Sequence, residues 1–259
     1  MATSIRAVIF DWAGTTVDFG SRAPMEAFRA VFAEAGVPLS DAEIRGPMGL
    51  HKKDHIRALL QQATIAARWQ ATHGHAWTEA DVEALYQRFI PLQLEVIEGH
   101  SQIVPGLLTC VEQLRQRQVK IGSTTGYFPE ATALTVAAAR AQGYAPDCVV
   151  CPDQSLPGRP WPWMIFRNMQ MLEVCPPAAV VKVGDTVVDM HEGRNAGAWC
   201  VGVTTTSNLI GLSEAQWAEQ TPQQRDRARV HARAQLLAAG AHWVIDTLDE
   251  LPLLLDSIQ

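Results

Sequence analysis

The sequence lacks any apolar run long enough to cross a lipid bilayer, which requires about 20 consecutive apolar residues. Its first residues lead almost directly into the apolar segment from Ala7 to Phe10, without the features of a secretory signal. Positive charge is also limited, because 21 Lys and Arg face 27 Asp and Glu, a net charge of -6. We therefore expect a cytosolic protein without a membrane or a nucleic acid as a main partner, whereas a small anionic substrate remains possible.

Cysteine is also scarce, and its five positions show no regular spacing. Cys148 and Cys151 have the separation of a redox pair, but they fall within a predicted strand and have no partner pair for zinc. We expect the cysteines to be buried thiols without a function in the chemistry.

The 259 residues are 47% hydrophobic and 19% charged, as expected for a globular protein with a large core. From about residue 20 to 99 the apolar spacing is helical, and one predicted helix runs from near His51 toward Trp69. From Pro105 onward, helices and strands alternate, which predicts a doubly wound parallel sheet. The predicted fold is α/β, with a Rossmann-like core of residues 1–20 and 100–259 and an inserted all-helical cap domain of residues 21–99.

Polar groups that suit phosphate chemistry follow the predicted strands. Asp11 ends the first strand, hydroxyls and a glycine follow the second in the segment Ser123–Tyr127, and Arg159 lies between glycine and proline. Asp185 and Asp189 open a helix after another strand. Each of these groups also has a structural explanation without a ligand: the threonines could form turns, Arg159 could be a surface cation, and Asp185 could cap a helix. Because the carboxyl ends of parallel strands share one edge of a sheet, we expect these groups to converge on a ligand site.

The order of these groups resembles the haloacid dehalogenase superfamily over essentially the whole chain. The resemblance implies that Asp11 is a nucleophile that takes a phosphoryl group, and that Thr125 and Arg159 hold the phosphate. It also implies a Mg²⁺ ion held by Asp185, with Asp189 either ligating the ion or orienting its shell. Positive charge is physically required there, because a carboxylate and a phosphate repel each other.

Ala13 departs from the pattern of phosphatases in that superfamily, which usually carry a second Asp as general acid at this position. Its backbone carbonyl can still ligate the metal, but its side chain cannot protonate an alkoxide. Either the enzyme is impaired, or its leaving group needs no such acid. A carbon leaving group fits the second case if another group accepts the electrons of the broken bond.

Two neighbouring lysines in the helical segment are candidates for that electron sink, because a lysine amine forms a protonated imine with a carbonyl compound. At about 100° per residue, Lys52 and His55 share a helix face, whereas Lys53 is turned toward Arg57. We therefore favour Lys52, with His55 as its proton-transfer partner. The alternative is a pair of solvated lysines at a polar helix start.

Several segments together resemble the phosphonoacetaldehyde hydrolase (phosphonatase) family more closely than other members of the superfamily. They are 11–18, 47–50, 121–127, 158–164 and 183–186. The resemblance implies Lys52 as the Schiff-base lysine, a substrate pocket that includes Trp12, Met48, Gly126 and Tyr127, and a homodimer that forms through the cap. His51 occupies a position that is often apolar in that family.

The implied reaction is cleavage of the carbon–phosphorus bond of phosphonoacetaldehyde, a small phosphonate substrate, through an imine and an aspartyl phosphate. Two alternatives remain at this point. A Mg²⁺-dependent phosphomonoesterase or sugar-phosphate mutase on the same scaffold is disfavoured by Ala13. A binding protein without activity is disfavoured by the joint presence of Asp11, Lys52 and Arg159.

Overall fold

The computed structural model describes residues 4–152 and 157–258 of the chain. The strands within these residues are β1 (Ala7–Phe10), β2 (Lys120–Thr124), β3 (Cys148–Val150), β4 (Val180–Gly184), β5 (Trp199–Val203) and β6 (Trp243–Ile245). They form one six-stranded sheet in the spatial order β3-β2-β1-β4-β5-β6, and every neighbouring pair is parallel. The predicted doubly wound α/β fold is confirmed.

The segment between β1 and β2 is helical, and we call residues 21–99 the helical insertion. Its helices are α1 (Arg22–Glu34), α2 (Asp41–Arg45), α3 (Lys52–Gln61), α4 (Ala63–His73) and α5 (Glu79–Ile97). Residues 20–99 are described throughout and contain no strand, in agreement with the sequence pattern. That the insertion is a separate cap domain with these boundaries stays a prediction.

Seven further helices occur in the described residues after the insertion; six precede or connect strands, and α12 follows β6. They are α6 (Leu107–Gln116), α7 (Pro129–Ala141), α8 (Trp163–Leu172), α9 (Val187–Ala196), α10 (Glu214–Glu219), α11 (Pro222–Ala238) and α12 (Leu251–Leu255). None of the described helices is both long enough and apolar enough to cross a membrane.

The helix predicted from His51 toward Trp69 is two helices, α3 and α4, so that prediction was wrong in its length. The chain is extended at Gln62, with ψ at 125°, and the carbonyl of Gln62 starts the hydrogen bonds of α4. The break redirects the chain, and apolar residues on both sides of it, such as Leu59 and Ile65, are buried in the same cluster. Burial on a common surface therefore overrides a continuous helical pattern.

The register of the sheet brings the polar strand ends together. Phe10 of β1 lies beside Ser123 of β2 on one side and beside Val183 of β4 on the other. The residues that follow all three strands consequently emerge at one edge. From β1 the sheet continues to β3 in one direction and to β6 in the other, and open α/β sheets bind ligands at such a switch point.

The helical insertion packs against this edge of the sheet. Its buried apolar cluster includes Phe28 and Met48 from the insertion together with Tyr127, Phe128 and Ala131 from the loop after β2 and the start of α7. A separate cluster covers one face of the sheet itself. Four cysteines are buried, as predicted, whereas Cys175 is exposed. The packing encloses the strand ends beneath the insertion.

Candidate active site

Asp11, the candidate nucleophile, follows β1 directly and is only 5% exposed. Its Oδ1 lies 2.6 Å from a terminal nitrogen of the Arg159 guanidinium. Burial raises the pKa of Asp11, and the positive charge of Arg159 works against this shift. The guanidinium therefore favours the ionised carboxylate, which is the nucleophilic form.

Lys52 is the first residue of α3 and is 2% exposed, although lysine side chains are rarely buried. Its Nζ lies 4.9 Å from the ring centre of Tyr127 and 5.8 Å from that of Phe28. Burial lowers the pKa of Lys52 to about 7, a shift that the nearby Asp11 carboxylate partly opposes. A large fraction of the amine is therefore neutral near pH 7.

Lys53 lies on the outside of the helical insertion. Its ammonium forms an ion pair with Glu83 of α5, and 34% of its side chain is exposed. The structure thus separates the two lysines as the helical-face argument predicts, with Lys52 on the cavity and Lys53 away from it.

His55 is fully buried one turn after Lys52, with its ring centre 3.9 Å from that of Phe28. Its Nε2 lies 2.9 Å from the carbonyl oxygen of Ile44, which can only accept a hydrogen bond, so we assign the proton to Nε2. Nδ1 then carries a lone pair, and it has no hydrogen-bond partner among the described residues. Burial and the charge of Lys52 hold the pKa of His55 well below its usual range, so the ring is neutral.

The loop after β2 contributes the predicted phosphate-binding residues. The hydroxyl oxygen of Thr125 accepts a hydrogen bond from the backbone N–H of Tyr127 at 3.1 Å, which gives the loop a compact shape. A side chain at Gly126 would collide with the backbone carbonyls of Gly49 and Leu50. Glycine is therefore required for the segment that precedes α3 to approach this loop so closely.

Asp11, Asp185 and Asp189 form a buried group whose candidate ligand atoms lie within 4.8 Å of one another. The Oδ1 of Asp185 accepts a hydrogen bond from the Thr15 hydroxyl at 3.1 Å, and its Oδ2 accepts one from the Asn208 N–H at 2.7 Å. Burial and the charges of the other two carboxylates raise the pKa of Asp185 well above its usual value. A bound cation would relieve this repulsion.

The donor set of this group fits Mg²⁺, which prefers carboxylate oxygens and retains several waters. The Oδ2 of Asp189 accepts a 2.6 Å hydrogen bond from the Thr186 hydroxyl, and its Oδ1 lies 3.1 Å from a terminal nitrogen of Arg159 and 3.0 Å from Nζ of Lys182. A side chain at Gly14 would overlap the carboxylate of Asp185, so the backbone approaches the group closely. The residues could therefore hold a divalent cation, with Ala13 beside them on the cavity.

The structure also shows two buried charges that the sequence argument missed, Lys182 in β4 and Glu192 in α9. The Nε of Arg159 donates to Glu192 at 2.9 Å, and the Lys182 ammonium lies 3.2 Å from the same carboxylate oxygen. A lysine in the centre of an otherwise apolar strand was a visible signal of such a site. Glu192 gave little signal beyond its position one turn after Asp189.

The side chains and backbone of residues from several elements enclose one cavity at the strand ends. Its lining consists of Asp11, Ala13, Ser21, Met48, Gly49, Lys52, Thr125, Gly126, Tyr127, Arg159 and Thr186. Eight of these were predicted, whereas Ser21, Gly49 and Thr186 were not. Ser21 is buried with a positive φ of 53°, a conformation that its sequence context did not indicate.

Trp12 is the predicted pocket residue that does not line the cavity. Its ring is buried in the cluster on the sheet, with its centre 5.4 Å from that of Tyr144. The side chain thus packs in the core, and the role of Trp12 in substrate binding stays a prediction.

Comparisons with known proteins agree with this architecture. A model of the haloacid dehalogenase-like hydrolases matches residues 5–197. A phosphonoacetaldehyde hydrolase from Nitratidesulfovibrio vulgaris is 46% identical over 244 residues, covering 94% of this chain and 87% of that protein. The chain belongs to the phosphonoacetaldehyde hydrolase family of haloacid dehalogenase-like hydrolases. A relative with the same name from Bacillus cereus is 44% identical and covers 98% of this chain and 97% of its own.

A solved structure of a phosphonoacetaldehyde hydrolase-like protein from Oleispira antarctica has a TM-score of 0.97 to this chain at 37% identity. The match covers 100% of this chain and 94% of that one. Both the predicted fold and the family resemblance are thus confirmed, and the chain is an enzyme of the hydrolase class. The roles of the individual site residues stay predictions.

Proposed function

We propose that this hydrolase cleaves the carbon–phosphorus bond of phosphonoacetaldehyde and releases acetaldehyde and phosphate. The observation that carries the proposal is that Lys52 and Asp11 line the same cavity. An amine and a carboxylate match the two reactive centres of this substrate, an aldehyde carbon and a phosphorus atom. The relatives that bear this substrate in their names support the proposal.

In the first step, the Nζ of Lys52 attacks the aldehyde carbon, and loss of one water leaves a protonated imine. The amine is reactive because burial lowers the pKa of Lys52 to about 7. The rings of Tyr127 and Phe28 lie close enough to Nζ to stabilise the positive charge of the imine. We assign the accompanying proton transfers to the lone pair on Nδ1 of the neutral His55.

In the second step, a carboxylate oxygen of Asp11 attacks phosphorus and forms an aspartyl phosphate. The electron pair of the carbon–phosphorus bond passes into the imine and gives an enamine on Lys52. Arg159 binds the phosphorus oxygens, and the loop at Thr125 offers further hydrogen bonds. Asp11, Asp185, Asp189 and the carbonyl of Ala13 would hold a Mg²⁺ ion, and its charge would offset the repulsion between the Asp11 carboxylate and the substrate.

The enamine explains why Ala13 can replace a general acid. Because the imine accepts the electrons of the broken bond, no alkoxide forms and no proton has to reach a leaving oxygen. The enamine takes a proton at carbon, and water then hydrolyses the acetaldehyde imine. A second water hydrolyses the aspartyl phosphate, so that the whole cycle consumes one water.

We extend the proposal to a cytosolic homodimer that associates through the helical insertion. The support is the family resemblance. Light scattering on the purified enzyme should give a mass close to twice the 28.4 kDa of one chain, and a monomeric mass would contradict this part.

Reductive trapping tests the reaction directly. With phosphonoacetaldehyde and borohydride, peptide mapping should find a reduced adduct on Lys52, and Lys52→Arg should abolish both the adduct and acetaldehyde release. Lys53→Arg is the matched control, because this neighbouring lysine pairs with Glu83 outside the cavity. Asp11→Asn should keep the adduct and lose phosphate release.

An adduct on Lys53 alone would contradict the assignment of the imine lysine while preserving the reaction class. A wild-type enzyme that releases no acetaldehyde but hydrolyses phosphate monoesters would contradict the proposal as a whole. In that case the alanine at position 13 would not indicate a carbon leaving group.

A further inference from the structure

Two wholly buried charges lie next to Arg159, and the mechanism above gives them no task. They are Lys182, in the centre of β4, and Glu192, three residues after Asp189 on α9. We propose that Lys182 and Glu192 are positioning residues that hold the guanidinium of Arg159 toward Asp11 and the phosphorus oxygens of the substrate. This inference rests on the proposed function, in which Arg159 binds those oxygens.

Glu192 fixes the plane of the guanidinium. The Nε of Arg159 donates to Oε2 of Glu192 at 2.9 Å, and one terminal nitrogen donates to the carbonyl and hydroxyl oxygens of Thr124 at 2.9 and 2.7 Å. A guanidinium is a rigid planar fork, so contacts on Nε and on a terminal nitrogen leave it no freedom to rotate. In this orientation the same terminal nitrogen lies 2.6 Å from Oδ1 of Asp11.

Lys182 contacts Thr124 and Glu192, the two residues that orient the guanidinium of Arg159. Its Nζ donates to the hydroxyl of Thr124 at 2.8 Å and lies 3.0 Å from Oδ1 of Asp189 and 3.2 Å from Oε2 of Glu192. The Thr124 hydroxyl in turn donates to Glu192 at 3.1 Å. The Lys182 ammonium therefore offsets the repulsion between the buried carboxylates of Asp189 and Glu192. Without it, Arg159 would be the cation for both carboxylates, which would draw the guanidinium away from Asp11.

We expect that fold stability does not require charges at these positions. Replacing a buried ion pair by apolar side chains of similar volume is often neutral or stabilising, because both charges lose their hydration on burial. The residues beside Lys182 on the neighbouring strands are Ile9 of β1 and Cys200 of β5, so an apolar residue would suit this face of the sheet. If folding does not require this buried pair, its contacts with Arg159 and Thr124 are consistent with a role in the site.

The test removes both charges together, so that neither is left unpaired. In the Lys182→Met/Glu192→Leu enzyme, we expect a melting temperature close to that of wild type. We expect the dissociation constant for inorganic phosphate, measured by calorimetry with Mg²⁺ present, to rise roughly tenfold or more. The KM for phosphonoacetaldehyde should rise by a similar factor, whereas reductive trapping at Lys52 should be unchanged.

Three further variants separate positioning from a general structural effect. Glu192→Gln keeps an acceptor for Arg159 Nε and should lose much less phosphate affinity than the double variant. In an Arg159→Met background, the double substitution should cause no further loss, because its effect passes through Arg159. Asn168→Ala is the matched control: Asn168 is equally buried but bonds the backbone of β2 at Ser123, so it should affect stability and not phosphate affinity.

A folded double variant that binds phosphate as tightly as wild type would overturn the inference. So would a further loss of phosphate affinity in the Arg159→Met background. If wild type releases no acetaldehyde while phosphate affinity still follows this pair through Arg159, the proposed reaction fails and the positioning role stands.

Discussion

The lowered pKa of Lys52 leads to a quantitative prediction about pH. Burial reduces this pKa from 10.5 to about 7, so about half of the amine is neutral at pH 7. An ordinary lysine has roughly a thousandfold less neutral amine at that pH. Because only the neutral amine attacks an aldehyde, the rate of imine formation should rise with pH through about 7 and then level off.

The charge of Asp11 provides a perturbation of known sign. Its carboxylate raises the pKa of Lys52 and so partly offsets the effect of burial. Asp11→Asn should therefore move the midpoint of the pH profile below that of wild type. The same substitution should stop phosphoryl transfer, so that the imine is not consumed and can be trapped.

The assay is trapping with cyanoborohydride and phosphonoacetaldehyde, with the Lys52 peptide quantified by mass spectrometry between about pH 5 and pH 10. Fragmentation of the same peptide distinguishes an adduct on Lys52 from one on Lys53, which serves as an internal reference because it lies outside the cavity. A wild-type midpoint near pH 10, or an upward shift in Asp11→Asn, would refute the reasoning from burial and charge.

Substitutions at Lys52, Arg159 and Trp12 should distinguish effects on stability from effects on activity. Lys52→Met should raise the free energy of unfolding by as much as roughly 4 kcal/mol at pH 7. The pKa of Lys52 is about 7 in the folded state and 10.5 in the unfolded state. The difference in unfolding free energy between the two enzymes should therefore be greatest below pH 7 and should decrease as pH rises toward 10.5. Urea titrations of both enzymes measure it. Arg159→Lys replaces a planar guanidinium that contacts several carboxylates by a single ammonium charge. The value of kcat/KM should therefore fall roughly a hundredfold, and inhibition by phosphate should weaken. Unchanged kinetics would contradict the proposal that Arg159 binds the phosphorus oxygens. Trp12→Phe should lower the free energy of unfolding by about 1–2 kcal/mol and leave kcat/KM unchanged, whereas a large rise in KM would restore Trp12 to the pocket.

Particular residues show which parts of the site could be predicted from the sequence. Asp11, Thr125 and Asp185 could be placed together in advance, because parallel strands end at the same edge and each residue follows a predicted strand. Trp12 was included in the pocket only through the family resemblance, and its packing against Tyr144 depends on residues far apart in the chain. The break at Gln62 was also missed, because apolar spacing continues across it.

By itself, the sequence determined the elements and their order, the convergence of polar strand ends, and the separation of Lys52 from Lys53 on a helix. These features depend on local periodicity and on handedness rules that hold for any chain. Only the tertiary structure decided that Lys52 has a pKa near 7 and that Lys182 and Glu192 hold Arg159. Both depend on lost hydration and on charges that are far apart in the chain but close in space, which no local pattern encodes.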